Sequence, residues 1–266
     1  MLTVRDVCQF LETFAPPQLA EEWDNVGLLV GRQDRPATRI MTCLTITPDS
    51  AAEAIEEGTE LIVTHHPLPF RPLKRLTEQT TPGSLLLQLI EAGIAIFSPH
   101  TAFDSAQEGI NQQLAEGLGL DQIAPLRVRD DITTVESTLG AGRFGVLPTP
   151  TPLAEVAERL KTFLSIERLQ LVGDPQRHVE TIAVACGSAG EFLESARYQR
   201  CDAFVTGETS FHTCLEAEAT GIALLLPGHY ASERFAVEHL ADVLAKTFPN
   251  ARVWPSRRER DPLRWW

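Results

Sequence analysis

Short apolar runs alternate with helical stretches along the chain, and this alternation limits the possible folds more than any other feature. Apolar runs at 39–46, 61–64 and 94–97 flank stretches of helical composition at 48–57 and 83–92. Strand–helix–strand alternation at this spacing predicts α/β units with mixed, mostly parallel sheets. A first helix is indicated by apolar residues at helical spacing, which are Val4, Val7, Cys8, Leu11 and Phe14.

The second half of the chain resembles the first. Residues 39–66 align, with a one-residue gap, on residues 180–208, and GIAIFSPH resembles the later GIALLLPGH. Each copy is predicted to alternate strands and helices, with a polar cluster at the ends of its later strands. We therefore predict two similar α/β lobes, 1–125 and 126–266, intertwined or forming one structural unit, with the polar clusters meeting between them.

The composition argues against export and against a membrane location. At 266 residues the chain can form one large domain or two lobes, but no window approaches the ~18 apolar residues of a membrane span. Arg5, Asp6 and Glu12 lie where a secretory signal would have its apolar core. The five cysteines are widely spaced, odd in number and without a C-x-x-C pair, which is typical of a reducing compartment. These features predict a cytoplasmic protein.

The net charge bears on the possible partners. A formal charge of −13 argues against general binding of nucleic acid, because phosphate backbones bind basic surfaces. One local exception is a group of arginines close together in sequence, Arg257, Arg258, Arg260 and Arg264. We interpret this group as part of a solvated or oligomer-facing segment.

The first histidine motif directly follows an apolar run. His65 and His66 come after residues 61–64 and before Pro67. Ligands of open α/β sheets bind at the carboxyl ends of the strands, so a site is expected here. Successive side chains of a strand point to opposite faces, so both imidazoles reach one site only if the strand ends, as Pro67 favours. The alternative is two histidines hydrogen-bonded within a turn.

Two further histidines each precede a carboxylate by four residues. His100 and Asp104 follow the apolar run at 94–97, and His229 and Glu233 follow the run at 222–226. Residues four apart share one face of a helical turn. The alternative is structural, because Asp104 could cap the helix after it and Ser232 could cap a helix with Glu233 in its first turn.

Together these clusters predict a metal site formed by His65, His66, Asp104, His229 and Glu233. Imidazole and carboxylate ligands suit zinc, manganese or iron and discriminate poorly among them. Three histidines and two carboxylates exceed the three protein ligands of a usual catalytic zinc. Two divalent ions about 3.5–4 Å apart, bridged by a carboxylate, account for the whole set and would activate water.

In these motifs the chain resembles the GTP cyclohydrolase I type 2 homologues, also called NIF-three-like proteins. The resemblance extends from Asp6 to about Pro262 and is carried by EEWDNVGLLVG, LIVTHHPL, SPHTAFD, VTGE and PGHYASE. It implies two α/β lobes, a dinuclear metal site between them and, commonly, a toroidal homohexamer. By position, the resemblance implies that His65 and Asp104 bind one metal, that His66 and His229 bind the other, and that Glu233 bridges both.

Three features depart from the pattern of that family. Thr45 stands where the family usually has Asp, and Ala102 stands where it usually has Asn. The length matches the short members, which lack an inserted middle domain. None of these departures involves the five predicted ligands, so they bear on substrate contacts or on hydrogen bonds to the ligands.

Other residues are candidates for substrate binding or proton transfer. Asp24 and Asn25 form either a turn closed by Gly27 or a substrate-facing loop. His100 is a candidate general acid or base, as is Glu233, since both side chains can transfer protons. Further candidates for lining the same cavity are Glu208, His212, Gly187 and Ser188; the last two could bind a phosphate through N–H groups or form an ordinary βα turn.

Two functions remain open at this point. The first is a metal-dependent hydrolase acting on a nucleotide or phosphorylated small molecule, either by the ring opening of GTP that the family name implies or by phosphoester hydrolysis. The second is a non-catalytic metal-binding, interaction or scaffold protein. Activity that is lost on Glu233→Ala would support the first, and a flat substrate screen would favour the second.

Overall fold

The structure is a computed structural model and describes residues 1–128, 139–264 and 266. In chain order the described helices are α1 (Val4–Phe14), α2 (Pro48–Glu56), α3 (Thr81–Glu91), α4 (His100–Ser105), α5 (Ile110–Gly117), α6 (Leu153–Leu164), α7 (Leu193–Tyr198), α8 (Phe211–Thr220) and α9 (His229–Thr247). The described strands are β1 (Gly27–Val30), β2 (Arg39–Cys43), β3 (Leu61–Thr64), β4 (Ala95–Ser98), β5 (Asp121–Val128), β6 (Gly140–Pro152), β7 (Gln170–Val172), β8 (His178–Ala185), β9 (Ala203–Thr206), β10 (Ala223–Leu226) and β11 (Arg252–Pro255).

Contacts divide the chain into two compact units. Unit 1 contains Met1–Phe103 and Ala236–Trp266, and unit 2 contains Asp104–Phe235. The sequence predicted lobes of residues 1–125 and 126–266, intertwined or forming one structural unit, and in the structure residues 236–266 belong to the same unit as residues 1–103. The physical reason is strand pairing, because β11 adds in parallel to β2 and so returns the last part of the chain to the first sheet.

The sheet of unit 1 has the strand order β1-β4-β3-β2-β11. Its last four strands in this order run parallel, and only the edge strand β1 is antiparallel to its neighbour. Every residue of β3 and β4 is buried, as is typical of parallel strands covered on both faces. The carboxyl ends of these two neighbouring strands lead directly to His65 and to His100.

The sheet of unit 2 has the strand order β5-β6-β8-β9-β10-β7. Parallel pairing is confined to β8, β9 and β10, and the remaining strands pair antiparallel. Each unit is therefore an α/β unit with parallel strands at its centre, which confirms the prediction of two similar lobes with mixed sheets. Parallel pairs predominate in the first sheet only.

Local sequence signals account for several element boundaries. Thr3 forms a capping box with Asp6 at the start of α1, and Thr47 forms one with Ser50 at the start of α2. Helix α1 ends at Phe14, ahead of two prolines that cannot continue it. Among the residues that the structure describes, no helix is both long and apolar enough to span a membrane.

Candidate metal centre

His65 and His66 lie just beyond β3 and are held there by backbone hydrogen bonds. The N–H of His65 donates to the carbonyl of Cys43 at 3.0 Å, and the N–H of His66 donates to the carbonyl of Leu44 at 2.8 Å. The hydroxyl of Ser98, at the end of β4, donates to the carbonyl of His65 at 2.7 Å. The two ring centroids are 5.0 Å apart and the ring planes are tilted by 54°. Both imidazoles therefore project from one fixed strand end.

A third imidazole, that of His100, completes a cluster within unit 1. Its ring centroid lies 5.1 Å from that of His65 and 5.7 Å from that of His66. One potential ligand atom from each of the three rings lies within 4.8 Å of the other two. The prediction from sequence treated His100 as an acid or base and not as a ligand, whereas the geometry allows either role. We refer to His65, His66 and His100 as the imidazole cluster.

Asp24 holds His100 in place. Its Oδ1 lies 2.7 Å from Nδ1 of His100, and its Oδ2 accepts hydrogen bonds from the backbone N–H and the hydroxyl of Thr101. Burial raises the pKa of Asp24, but the hydrogen bond and charge of His100 and the donors of Thr101 and Asn25 outweigh this effect and lower it to about 2. Asp24 is therefore a buried carboxylate whose oxygens face His100 and Thr101.

The backbone at His100 is as constrained as its side chain. Its φ is +25°, which is unusual for a residue with a side chain, and it is the first residue of α4. Strain of this kind persists only where the surroundings enforce it, and is found preferentially at functional sites. Here the enforcing contacts are the bonds from Asp24 to the ring of His100 and to the N–H of the next residue.

Unit 2 carries a second donor group at the start of α9. Nε2 of His229 lies 3.1 Å from Oε2 of Glu233, and Nδ1 lies 3.0 Å from Oε1 of Glu208. The hydrogen bond to Glu233 is the main cause that raises the pKa of His229 to about 9; burial opposes it, and Glu208 adds to it. A proton shared by an imidazole and a carboxylate occupies a place that a cation can take, so these donors fit a metal.

Gly187 makes room for this group. Its φ is +65°, and a Cβ atom there would lie 2.3 Å from Oε1 of Glu233 and 3.4 Å from Nε2 of His229. Its N–H donates to the hydroxyl of Ser232 at 3.0 Å. Since this N–H is used within the protein, the geometry favours the βα-turn alternative over a phosphate loop at Gly187. The neighbouring Ser188 is exposed.

The structural alternatives for Asp104 and Ser232 are wrong. Helix α9 begins at His229, so Ser232 lies inside its first turn, where its hydroxyl donates to the carbonyl of His229. Asp104 belongs to α4, and α5 is preceded by Gly109 at its N-cap position. Neither Asp104 nor Ser232 is therefore an N-cap.

Asp104 instead contacts a cysteine that the sequence did not single out. The thiol of Cys186 lies 3.1 Å from Oδ1 of Asp104, and Oδ1 of Asn111 accepts from the backbone N–H of Cys186. Burial, followed by the negative charges of Asp104 and Glu233, raises the pKa of Cys186 well above its usual range. Cys186 is thus a neutral thiol that can donate to Asp104.

The remaining predicted site residues differ in their placement. Asn25 donates through its side chain to the carbonyl of Pro69 at 2.9 Å, which ties its loop to the segment after the two histidines. His212 is exposed on α8, with its ring beside that of Phe211. Of these two, only Asn25 is joined to the surroundings of the imidazole cluster.

Two further residues were missed or undervalued by sequence reasoning. Thr45, noted only as a departure from a family pattern, places its hydroxyl 2.6 Å from Nδ1 of His66. Arg143 is buried, and its guanidinium donates to the carbonyls of Ser105 and Ala106, directly after Asp104. The signal for Thr45 was its position at a strand end; a buried arginine has no such local signal.

The fold and the two donor groups define an α/β protein that has imidazole and carboxylate donors at its strand ends. The chain belongs to the Duf34/NIF3 (NGG1p interacting factor 3) family, whose model matches residues 2–262. This result confirms the resemblance inferred from the motifs.

Individual relatives match over nearly the whole chain. A GTP cyclohydrolase 1 type 2 homolog of Clostridium acetobutylicum is 34% identical, with 99% of this chain and 98% of that protein covered. NIF3-like protein 1 of Drosophila melanogaster is 31% identical, with 97% and 87% covered. The crystal structure of a hypothetical protein of Staphylococcus aureus has a TM-score of 0.89 at 28% identity and covers 100% of this chain and 99% of its own.

Proposed function

We propose that this protein binds two divalent metal ions and uses them to hydrolyse a nucleotide or another phosphorylated small molecule. The observation that carries the proposal is the imidazole cluster, in which the rings of His65 and His66 converge beside that of His100 at the ends of two neighbouring strands. The donors of unit 2 support it, because Gly187 leaves space beside Glu233 and His229 that a side chain would fill. Nitrogen and oxygen donors of this kind suit zinc, manganese or iron.

The assignment of ligands follows the family pattern. We propose that His65 and Asp104 bind one ion, that His66 and His229 bind the other, and that Glu233 bridges them. Such a pair, when bound, lowers the pKa of water from about 15.7 toward 7 and so makes a nucleophile available at neutral pH. The protein orients the ligands through Thr45 at His66 and Cys186 at Asp104.

His100 is suited to proton transfer in such a reaction. Asp24 binds Nδ1 of the ring, which leaves Nε2 as the nitrogen that can accept or donate a proton. We therefore propose His100 as the general acid or base, with Asp24 as its positioning residue, and Glu233 as the second candidate base.

Two exposed aromatic rings beside His100 bear on the substrate. Trp23 is 63% and Phe70 is 48% exposed, and their ring centroids lie 6.0 and 5.9 Å from that of His100. Aromatic faces of this kind stack against nucleobases. They support a nucleotide, as does the name GTP cyclohydrolase 1 type 2 homolog of the Clostridium relative. Both ring opening of GTP and phosphoester hydrolysis are compatible with a two-metal site.

The second candidate is a non-catalytic metal-binding, interaction or scaffold protein. It is favoured by the description of the matched family, which names an interacting factor and not an enzyme. On this alternative the same donors would bind metal, and no substrate would be turned over. The two candidates therefore share the metal site and differ only in turnover.

Metal content tests the part that both candidates share. Purified protein reconstituted with zinc, manganese or iron should hold about two ions per chain, and His66→Ala should sharply reduce that number. His178→Ala is the matched control, because His178 is exposed and lies outside both donor groups. Protein that binds no metal after reconstitution would refute the proposal.

Turnover then separates the two candidates. The metal-loaded protein should hydrolyse at least one member of a panel of nucleoside triphosphates, monophosphates and simple phosphoesters, and Glu233→Gln should abolish the activity. His178→Ala should leave the activity unchanged. If protein with its full complement of metal hydrolyses none of these substrates, the non-catalytic role would be favoured instead.

We propose two further properties, a cytoplasmic location and a homohexameric assembly. None of the five cysteines, all within the described residues, forms a disulfide, which fits a cytoplasmic location. The family pattern implies a homohexamer, which light scattering coupled to gel filtration would test. A monomer at micromolar concentration would contradict the hexamer and leave the metal proposal unaffected.

A further inference from the structure

Residues 256–260, which we call the 256–260 segment, are hydrogen-bonded to α2. The N–H of Ser256 continues the pairing of β11 with β2 by donating to the carbonyl of Thr42 at 2.7 Å. The hydroxyl of Ser256 and the N–H groups of Arg257 and Arg258 all donate to the buried carboxylate of Glu53, at 2.7 to 3.1 Å. Three donors on one buried carboxylate define the conformation of this segment.

The arginines of the segment strengthen its attachment at the surface. Arg257 pairs with Glu57, Arg258 with Glu56, and Arg260 with Asp49, all on or next to α2. These are exposed pairs, so each contributes little free energy. Three of the four arginines grouped in the sequence therefore face acidic side chains on or next to α2.

Glu259, in the same segment, reaches the carboxyl end of β2. Its two carboxylate oxygens accept the backbone N–H groups of Leu44 at 2.8 Å and Thr45 at 2.5 Å. These residues lie just beyond the last paired residue of β2, Cys43, so their N–H groups have left the sheet ladder. Leu44 is buried and its N–H needs an acceptor, which Glu259 supplies while also accepting the N–H of Thr45.

The backbone at residues 43–45, to which Glu259 is hydrogen-bonded, is also hydrogen-bonded to His65 and His66. The carbonyls of Cys43 and Leu44 accept the N–H groups of His65 and His66. The hydroxyl of Thr45 lies 2.6 Å from Nδ1 of His66. When Nδ1–H donates to this hydroxyl, the lone pair of Nε2 is presented for a metal ion, and the ring orientation is fixed.

We infer that Glu259 is a positioning residue for His66, acting through Thr45. The inference rests on the proposed function only in assuming that His66 binds metal. A carboxylate suits this position because the N–H groups of Leu44 and Thr45 both donate to it. A glutamine would set its own NH2 group against one of the two N–H groups, and an alanine would leave both without this acceptor.

The first test uses metal-free protein and compares Glu259→Gln with Arg260→Ala as the matched control. Arg260 lies in the same segment but pairs only at the surface with Asp49. Nitrogen-15 NMR of the imidazoles should show the same tautomer populations for His66 in the wild type and in Arg260→Ala, and altered populations in Glu259→Gln, because the Thr45 hydroxyl shifts relative to Nδ1 of His66. Equal tautomer fractions in all three proteins would overturn the inference.

The second test measures zinc affinity by chelator competition. Loss of a partner that orients a ligand typically weakens binding about 10- to 100-fold, and we expect this range for Glu259→Gln and no change for Arg260→Ala. When Thr45 is already replaced by valine, Glu259→Gln should weaken zinc binding little further, because Glu259 acts on His66 through Thr45. Fully additive losses in the double variant would refute this route.

A second variant, Glu259→Asp, and the metal-free NMR measurement allow the inference to be tested in every case. If Glu259→Gln does not fold, Glu259→Asp keeps the charge but shortens the side chain, and it should produce the same tautomer shift to a smaller extent. The NMR measurement needs no metal. If the protein binds no metal, the proposed function is refuted, but the tautomer populations of His66 still test whether Glu259 positions this ring. An unchanged tautomer in a metal-binding protein would defeat the inference alone.

Discussion

Oδ1 of Asp24 lies 2.7 Å from Nδ1 of His100, although the two residues are 76 positions apart in sequence. The side chain of Asp24 is only 1% exposed, and its other oxygen is bound by Thr101. One carboxylate thus fixes both the ring of His100 and the backbone that carries it. Any role of His100, as proton carrier or as ligand, depends on this contact.

The low pKa of Asp24 predicts how stability depends on pH. Folding lowers this pKa from 3.8 to about 2, so the folded state favours the ionised form. The carboxylate therefore contributes about 2 kcal/mol to the free energy of unfolding above roughly pH 4, and this contribution is lost as the pH falls through about 2. Asp24→Asn should be less stable by about that amount near neutral pH, and the difference should narrow below about pH 4.

Denaturant unfolding of wild type and Asp24→Asn at several pH values measures this difference. Asp34→Asn is the control, because Asp34 pairs with Arg32 on the exposed surface. The control should differ little from the wild type, because an exposed ion pair contributes little free energy. A difference between wild type and Asp24→Asn that widens toward acid would contradict the assigned direction of the pKa shift.

Gly187→Ala should disrupt the donor group of unit 2. The added Cβ would lie 2.3 Å from Oε1 of Glu233 and would force that carboxylate to move. We expect zinc affinity to fall at least about 10-fold, as when other supports of a ligand are lost. Gly221→Ala isolates the backbone effect, since Gly221 has a similar φ of +76° and no atom within 4 Å of the added Cβ.

The two glycine variants are compared by zinc titration and thermal unfolding. In both variants a residue with a side chain must adopt a left-handed backbone conformation, which should lower the free energy of unfolding by about 1–2 kcal/mol. Only Gly187→Ala should lose zinc affinity. Equal affinities would show that the space beside Glu233 is not needed for metal.

Arg143→Met should destabilise the protein strongly. The buried guanidinium donates to the carbonyls of Ser105, Ala106, Gly140 and Gly142 and to the side chain of Gln112. Methionine fills a similar volume but leaves these buried acceptors without their donor, which should cost at least about 3 kcal/mol. Arg159→Met, on the exposed face of α6, should change stability by less than about 0.5 kcal/mol.

Urea unfolding of both arginine variants provides the measurement. Ser105 and Ala106 directly follow Asp104, so Arg143→Met should also weaken zinc binding in conditions where the protein stays folded. Similar stabilities of the two variants would mean that the buried hydrogen bonds of Arg143 contribute little.

Trp23→Ala tests whether the exposed aromatic rings contact a substrate base. Stacking on one base is worth about 1–3 kcal/mol, so KM for a nucleotide substrate should rise about 5- to 150-fold. Trp23→Phe should retain most of the affinity, and Tyr198→Ala, at an exposed aromatic residue of α7, is the control. For a phosphoester without a ring, such as glycerol phosphate, KM should not change. A rise of KM for both substrates would mean that Trp23 supports the site and does not stack.

Several local elements were predictable from sequence alone, as was the position of three histidines just after strands. Helix α1 and strand β3 have the bounds that hydrophobic spacing and flanking prolines indicated. The positions of His65, His100 and His229 after apolar runs placed them at strand ends, because parallel strands present their carboxyl ends to one edge of a sheet. Such signals span fewer than about ten residues, which is the range over which periodicity and turn chemistry act.

The contacts that orient those donors were decided by tertiary structure. Asp24 reaches His100, Cys186 reaches Asp104, and Glu259 reaches Thr45 across 76, 82 and 214 positions. The pairing of β11 with β2, which brings Glu259 to the end of β2, likewise moved the boundary of the units away from the predicted halves. Local periodicity indicates only that a segment forms a strand. Which other strand it pairs with depends on burial and hydrogen bonding over the whole folded chain.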